Sequence, residues 1–196
     1  MKNNSKYLVW IDLEMTGLRP RIDRITEVAV IITDFNLREV AVYESGVKHP
    51  QSLLEGLVEQ SEWHQQQKEY TRAMVEHSLK GKSEEVVQAE ILNLIETHIG
   101  LSSPAESYPH HPDSLEARGE IYLAGNSIST DRAFIDQWWP KLARVLHYRM
   151  VDVSSFKVWH EAHGVEKFVK KNKHRALDDI RESIAELAYY QKVSQD

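Results

Sequence analysis

The stretch that decides the fold lies near the start of the chain and reads Tyr7-Leu8-Val9-Trp10-Ile11-Asp12-Leu13-Glu14-Met15-Thr16-Gly17. An unbroken apolar run leads into Asp12, and such a run predicts a strand that is buried on both faces. Because side chains alternate along a strand, the carboxylates of Asp12 and Glu14 should project from the same face and lie close together. Two like charges in such a place either raise a carboxyl pKa or hold a cation between them, and oxygen ligands favour a hard divalent ion.

The spacing of this acidic pair carries little weight on its own. The chain holds 30 acidic residues among 196, so about four or five pairs with one residue between them arise by chance. The neighbouring residues are more informative. The acidic pair interrupts an apolar run that is typical of a buried strand, and the following Gly17 allows a turn or the close approach of a ligand. From this stretch alone, a metal site and a merely structural strand end remain equal alternatives.

Composition and charge narrow the function classes. Hydrophobic residues make up 41% and charged residues 28% of the chain, which is typical of a globular protein and predicts a single domain over residues 1–196. The chain has no cysteine, so any metal must be held by oxygen or imidazole ligands. A net charge of -6 argues against a protein that grips long duplexes through many phosphates. No apolar run is long enough for a signal peptide or a membrane span, so we expect a cytoplasmic protein without a membrane attachment.

The first half of the chain predicts an antiparallel meander followed by helices. β-Branched residues over 25–33 and a further stretch over 40–47 predict strands that short turns join to the first one. The polar segment over 51–80 predicts short helices over the sheet, and a clearer helix should begin after its N-cap Ser83 and end at Gly100. The proline-rich residues 101–119 predict a long surface loop.

The second half alternates strands and helices, which completes an α/β fold with a mixed sheet flanked by helices. Strands are predicted over 121–126 and 148–153, and helices over 130–138, 155–163 and about 176–192. Asp131 opens the first of these helices directly after a strand. It is either an acid that stabilises the helix dipole or a ligand-binding group at a strand end, and the sequence leaves these alternatives close to equal.

The beginning of the last helix carries a histidine and two acids, His174, Asp178 and Asp179. His174 and Asp179 would not share a helix face at their spacing, so His174 should lie on the loop before the helix. Periodicity does not decide whether Asp178 or Asp179 faces the site. A basic run from Lys167 to Arg175 precedes the helix, and it is either a solvated surface or a collector of phosphate.

Together, these acids and the histidine resemble the active-site pattern of the DEDDh 3′→5′ exonucleases, and among them the chain is similar to the oligoribonucleases. The pattern consists of Asp12, Glu14, Asp131, His174 and Asp179. The segments that carry the resemblance are residues 10–18, 124–128, 147–149, 151–154 and 174–187. They are spread over nearly the whole chain, which argues against a chance match.

The resemblance implies a ribonuclease H-like fold and a 3′→5′ exonuclease domain that binds two divalent metal ions, Mg2+ or Mn2+. It further implies hydrolysis of short RNA, especially dinucleotides, to nucleoside 5′-monophosphates by a homodimer. By the same motif matching, the metal ligands are Asp12, Glu14, Asp131 and Asp179, and His174 takes the proton of the attacking water. Leu18 and Trp63 would pack on bases, Ser127 and Arg149 would hold the terminal phosphate, and Tyr148 would reach the substrate bound by the partner subunit.

Two departures from the family pattern affect the site. Residues 101–119 form a longer connection than usual, and the residues after Trp63 lack the histidine that the family places several positions later, which leaves substrate contacts there open. The alternatives are a related nuclease that acts on longer RNA or single-stranded DNA, a silent nucleotide-binding module, and a purely structural protein. The net charge disfavours a nuclease of longer RNA or DNA, which would need a longer basic groove. The presence of all five residues of the pattern disfavours a silent nucleotide-binding module. A structural role leaves the aligned carboxylates unexplained.

Overall fold

The computed structural model describes residues 7–100, 121–169 and 175–193. The predicted surface loop over 101–119 and the candidate histidine His174 lie outside these described residues. The strands are β1 (Tyr7–Met15), β2 (Ile25–Asp34), β3 (Glu39–Gly46), β4 (Ile121–Gly125) and β5 (Leu146–Asp152). The helices are α1 (Gln51–Val58), α2 (Glu62–Gln66), α3 (Lys68–Leu79), α4 (Glu84–His98), α5 (Ser129–Trp138), α6 (Pro140–Val145), α7 (Val153–Ala162) and α8 (Ala176–Val193).

These strands form a sheet in the order β3-β2-β1-β4-β5. β1 pairs antiparallel with β2, and β2 pairs antiparallel with β3, which confirms the predicted meander. β1 pairs in parallel with β4, and β4 pairs in parallel with β5. The sheet is therefore mixed, as the sequence predicted. β1 has neighbours on both sides, which explains why its apolar run is continuous.

The side chains of β1 alternate between two hydrophobic clusters, one on each face of the sheet. The odd-numbered apolar residues of β1 pack into the cluster that contains side chains of α4, α5 and α6. Leu8 and Trp10 pack into the opposite cluster, which contains side chains of α7 and α8. Because side chains alternate, Asp12 and Glu14 continue the face of Leu8 and Trp10. The fold thus directs both carboxylates toward the side of the sheet that α8 covers.

Most predicted helices are confirmed, and their ends follow the capping residues. Ser83 caps α4 by accepting a hydrogen bond from the Val86 N–H, and α5 ends at Trp138. The helices predicted over 51–80 are present as α1, α2 and α3. The sequence pattern did not predict α6, whose Pro140 stands in the first turn, where its missing N–H costs no hydrogen bond.

The junction between β5 and α7 differs from the prediction by a few residues. β5 begins at Leu146 rather than at residue 148. α7 begins directly at Val153, because the Asp152 carboxylate accepts a hydrogen bond from the Ser154 N–H at 2.9 Å. Within the described ranges, no helix combines the length and the apolar character that crossing a bilayer requires.

Candidate active site

Three carboxylates meet where β1 ends and α8 begins. Asp12, Glu14 and Asp179 can each place one carboxylate oxygen so that these oxygens all lie within 4.8 Å of one another. Alternation along β1 brings the first two together, and the packing of Ile180 against the same face brings Asp179 to them. Asp179, rather than Asp178, therefore belongs to this cluster. Negative charges at this distance repel one another unless a cation neutralises them, and such oxygen sets suit Mg2+ or Mn2+.

Glu14 lies in an environment that disfavours its charged form. Burial is the main reason why its pKa rises to about 7, and the charges of Glu27 and Asp179 contribute. Glu27 lies directly opposite Glu14 in the antiparallel pair of β1 and β2. A hydrogen bond from the Tyr70 hydroxyl and the charge of Arg175 lower the pKa in part. Without a cation, a proton therefore competes for this carboxylate near neutral pH.

Asp131 approaches the same strand end from the first turn of α5. Its side chain is buried, and its Oδ1 accepts a hydrogen bond from the Leu13 N–H at 3.0 Å. Burial raises the pKa of Asp131 to about 7 despite this hydrogen bond, and the charges of Glu14 and Asp152 contribute. Asp131 thus lies against the strand that carries Asp12 and Glu14, but it is not among the three acids whose oxygens lie within 4.8 Å of one another. Its role as a ligand stays a prediction.

His174, the remaining member of the predicted pattern, lies outside the described residues, and so does the middle of the basic run before α8. The described ends of that run lie near acids. Lys167 Nζ lies 3.4 Å from Glu161 Oε2, and Arg175 Nε lies 3.8 Å from Glu27 Oε1. At these two positions the cations therefore pair with acids of the same chain. This favours a solvated surface over a collector of phosphate there.

A cavity of about 520 Å³ opens beside Glu14. Two apolar residues on its wall are unusually exposed, Leu18 at 77% and Trp63 at 51%. Apolar groups that are left in solvent beside a carboxylate cluster can stack on nucleobases. Gly17 also lines the cavity, and only glycine fits there because a Cβ would lie 2.6 Å from the Asp23 carboxylate. The structure thus brings Leu18 and Trp63 to the same cavity as Glu14.

Two further residues of this cavity, His64 and Tyr70, were missed by the sequence analysis. His64 is buried, and its Nε2 lies 3.2 Å from the carbonyl oxygen of Met15. The Tyr70 ring packs edge-on against Trp63, with the centroids 5.2 Å apart, and its hydroxyl donates a hydrogen bond to Glu14. The segment after Trp63 shows no apolar stripe, so no spacing signal marks either residue.

Ser127 lies in the turn between β4 and α5 and adopts a positive φ of 50°, which residues other than glycine rarely do. Its N–H donates to Asp152 Oδ1 at 3.0 Å and to Ser154 Oγ at 2.9 Å. The two serine hydroxyls lie 3.1 Å apart. These contacts hold the strained turn. The Ser154 hydroxyl donates to Asn126 Oδ1 at 3.1 Å, so of the two serines it is Ser127 whose hydroxyl can donate to an anionic oxygen. Ser154 was not a candidate from the sequence, although it stands in a segment that carries the resemblance.

Tyr148 and Arg149 lie on β5, which is an edge strand of the sheet. The Arg149 guanidinium carbon lies 5.1 Å from the centroid of the Tyr148 ring, and the His147 ring stacks on Tyr148 at 4.5 Å. Among the described residues that line the cavity beside Glu14, neither Tyr148 nor Arg149 occurs. An edge strand that carries an aromatic and cationic group is suited to contact with another chain.

Similarity to known proteins extends over most of the chain. The family model RNase_T, described as Exonuclease, matches residues 9–99 and 112–187. An oligoribonuclease of Buchnera aphidicola is 36% identical over an alignment of 198 positions that covers 98% of this chain and 96% of that protein. An oligoribonuclease of Francisella tularensis is 38% identical over 189 residues, which cover 94% of each protein. A probable oligoribonuclease of Drosophila melanogaster is 38% identical over 191 residues, which cover 93% of this chain and 80% of that protein.

Solved structures of E. coli exonuclease I share the fold. A zinc-bound complex with single-stranded DNA matches with a TM-score of 0.58 and 15% identity over 97% of this chain. A complex with a dA16 oligonucleotide matches with a TM-score of 0.60 and 12% identity. In both cases the chain spans 41% of the exonuclease I chain. At such identities the likeness shows the fold alone, and it confirms the predicted ribonuclease H-like architecture.

Proposed function

The chain belongs to the oligoribonuclease family, and from this membership we propose that it is a metal-dependent 3′→5′ exoribonuclease. Its substrates are short oligoribonucleotides, especially dinucleotides, and its products are nucleoside 5′-monophosphates. The observation that carries the proposal is the convergence of Asp12, Glu14 and Asp179 beside a cavity whose wall exposes Leu18 and Trp63.

The acids of this site fit divalent cations. The oxygens of Asp12, Glu14 and Asp179 lie within 4.8 Å of one another, and burial destabilises the charged forms of Glu14 and Asp131. We assign these residues as ligands of two ions, Mg2+ or Mn2+. When bound, such ions stabilise the charge that develops on the attacking and leaving oxygens of a phosphodiester. The chain contributes the hard oxygen ligands and the partly buried surroundings in which they act.

His174 is the proposed general base, on the basis of the family motif that it shares. An unperturbed imidazole has a pKa of about 6.5 and can therefore accept the proton of the attacking water near neutral pH. This role needs a histidine that reaches the attacking water while leaving the carboxylates free to hold metal. A variant without the imidazole should thus lose rate rather than metal, which separates the base from the ligands.

The proposed substrate contacts divide between bases and phosphate. Leu18 and Trp63 take up bases, since stacking on apolar and aromatic groups tolerates every base. Ser127 and Arg149 hold the terminal phosphate, and the neighbouring Ser154 hydroxyl supports Ser127. Two base contacts and one phosphate contact suit a substrate of very few nucleotides.

We further propose that the active form is a homodimer in which Tyr148 contacts the substrate bound by the partner subunit. The position of Tyr148 on the edge strand β5, away from the cavity of its own chain, supports this assignment. The expected cytoplasmic location stays a prediction.

A time course with end-labelled RNA of two to about ten nucleotides and matching DNA, with and without Mg2+ or Mn2+, tests the proposal. We expect metal-dependent release of nucleoside 5′-monophosphates and a marked preference for the shortest RNA. Equal or faster cleavage of longer RNA or of DNA would instead support the related nuclease of broader substrate range. Hydrolysis of a dinucleotide that persists in excess chelator would contradict the metal assignment.

A further inference from the structure

Tyr70 connects the cavity to the carboxylate cluster. It stands in the first turn of α3, and its hydroxyl donates a hydrogen bond to Glu14 Oε2. Glu14 is one of the three acids whose oxygens lie within 4.8 Å of one another. A donor that holds one oxygen of a carboxylate limits the rotation of that carboxylate and so decides where the other oxygen points.

The ring of Tyr70 belongs to the wall that would receive a base. It meets Trp63 edge to face, with centroids 5.2 Å apart and planes at 78°. It also lies nearly parallel to the His64 ring, at 6.4 Å and 20°. Trp63 is half exposed and lines the cavity. A base that stacks on Trp63 therefore rests on a side chain that the Tyr70 ring contacts edge to face.

The backbone that carries Tyr70 is tied to the strand that carries Glu14. His64 Nε2 lies 3.2 Å from the carbonyl oxygen of Met15, the residue directly after Glu14. His64 Nδ1 lies 3.0 Å from Thr71 Oγ1, the residue directly after Tyr70. Both ends of the Tyr70–Glu14 hydrogen bond are thus anchored through one buried histidine. These hydrogen bonds limit how far α3 and β1 can move apart at the Tyr70–Glu14 contact.

We infer that Tyr70 is a positioning residue that orients Glu14 for divalent metal binding while its ring supports the base stacked on Trp63. This inference rests on the proposed function, because it concerns the metal and the substrate of the same site. Groups that hold a metal ligand in place contribute strongly to metal affinity, and their loss typically weakens it by roughly 10 to 100-fold. Tyr70 would therefore contribute to metal binding without touching the metal.

The test compares Tyr70→Phe with Tyr43→Phe in the full chain. Tyr43 is a matched control, because its hydroxyl also donates to a glutamate, Glu90, at 2.7 Å on another part of the sheet. Isothermal titration calorimetry measures Mn2+ binding without RNA, and steady-state kinetics gives kcat and KM for a ribodinucleotide. Tyr70→Phe should weaken Mn2+ affinity about tenfold or more. At a fixed Mn2+ concentration it should lower kcat while KM changes by less than about twofold, since the ring remains.

A second variant, Tyr70→Leu, removes the ring as well and should raise KM in addition. Thermal unfolding in chelator verifies that each variant is folded. An unchanged Mn2+ affinity in folded Tyr70→Phe, or an equal loss in Tyr43→Phe, would overturn the inference. If the wild-type chain binds Mn2+ but does not hydrolyse the dinucleotide, the proposed function fails, while the calorimetric comparison still decides the role of Tyr70.

Discussion

Replacing Glu14 with glutamine should stabilise the metal-free protein at alkaline pH but not at acidic pH. Burial raises the pKa of Glu14 in the folded state from an ordinary value of 4.5 to about 7. The folded state therefore binds this proton more tightly than the unfolded state does. Stability is fully present below the unfolded pKa, falls as the pH rises from about 4.5 to 7, and stays low above that range. Glutamine is neutral throughout and avoids this loss.

The magnitude follows from the difference between the two pKa values. A rise from 4.5 to about 7 corresponds to about 3 kcal/mol at pH 8, since a difference of one pKa unit between the folded and unfolded states is worth about 1.4 kcal/mol. For a chain of this size, that free energy corresponds to a Tm increase of roughly 6 to 12 °C. The oxygen of a glutamine amide can still accept the hydrogen bond from Tyr70, so this contact need not be lost.

Thermal unfolding followed by circular dichroism in excess chelator, from pH 5 to pH 8.5, measures the effect. The Tm difference between Glu14→Gln and wild type should be small at pH 5 and grow with pH. Glu90→Gln is the control, because hydrogen bonds from Lys82 and Tyr43 lower the pKa of exposed Glu90. Its Tm difference should stay nearly constant over this pH range, because a carboxyl whose pKa is lowered from 4.5 is ionised in both the folded and the unfolded state above about pH 5. A Glu14→Gln protein that is no more stable than wild type at pH 8.5 would refute the reasoning from burial.

The remaining predictions concern turnover of a ribodinucleotide. Asp12→Asn and Asp179→Asn should lose roughly a thousandfold or more in rate, because each removes the charge of a metal ligand. Both variants should keep the wild-type far-UV circular dichroism spectrum. Near wild-type turnover would disprove their role. Excess chelator should abolish wild-type turnover, and addition of Mg2+ or Mn2+ should restore it. His174→Ala should lower kcat by roughly 100 to 10,000-fold with Mn2+ binding retained in calorimetry, and lost binding would make it a ligand instead. Tyr148→Ala should weaken turnover, and sedimentation that shows a fully active monomer would exclude the contact across the dimer.

Alternation along β1 made the first half of the site predictable. A continuous apolar run interrupted by Asp12 and Glu14 predicts both a central strand and a shared face, and the structure confirms the central position of β1 in the sheet. Local capping likewise predicted the start of α4 at Ser83. In these cases the deciding interactions lie within a few residues of one another in the sequence.

Asp179 and Tyr70 depend on interactions that the sequence does not display. Asp178 and Asp179 are adjacent, and only the packing of Ile180 against the Trp10 cluster decides which of them turns toward β1. Tyr70 stands in a helix without an apolar stripe, and its contact with Glu14 joins residues 56 positions apart. Periodicity describes one element at a time, so it cannot identify a contact that depends on how two elements meet.

The packing that completes one face of the sheet also concentrates its negative charge. Trp10 is fully buried in the cluster that includes Ile180, and its Nε1 donates to Thr33 Oγ1 at 2.9 Å, which fixes the indole. Because Asp12 follows Trp10 on the same face, α8 cannot cover Trp10 without bringing its first turn to Asp12. Burial of apolar surface, worth about 25 cal/mol per Å², therefore holds together acids that repel one another. Repulsion among the carboxylates and their burial destabilise the metal-free protein, and a bound cation relieves both effects. The same clustering of acids therefore causes the local instability and the affinity for a cation.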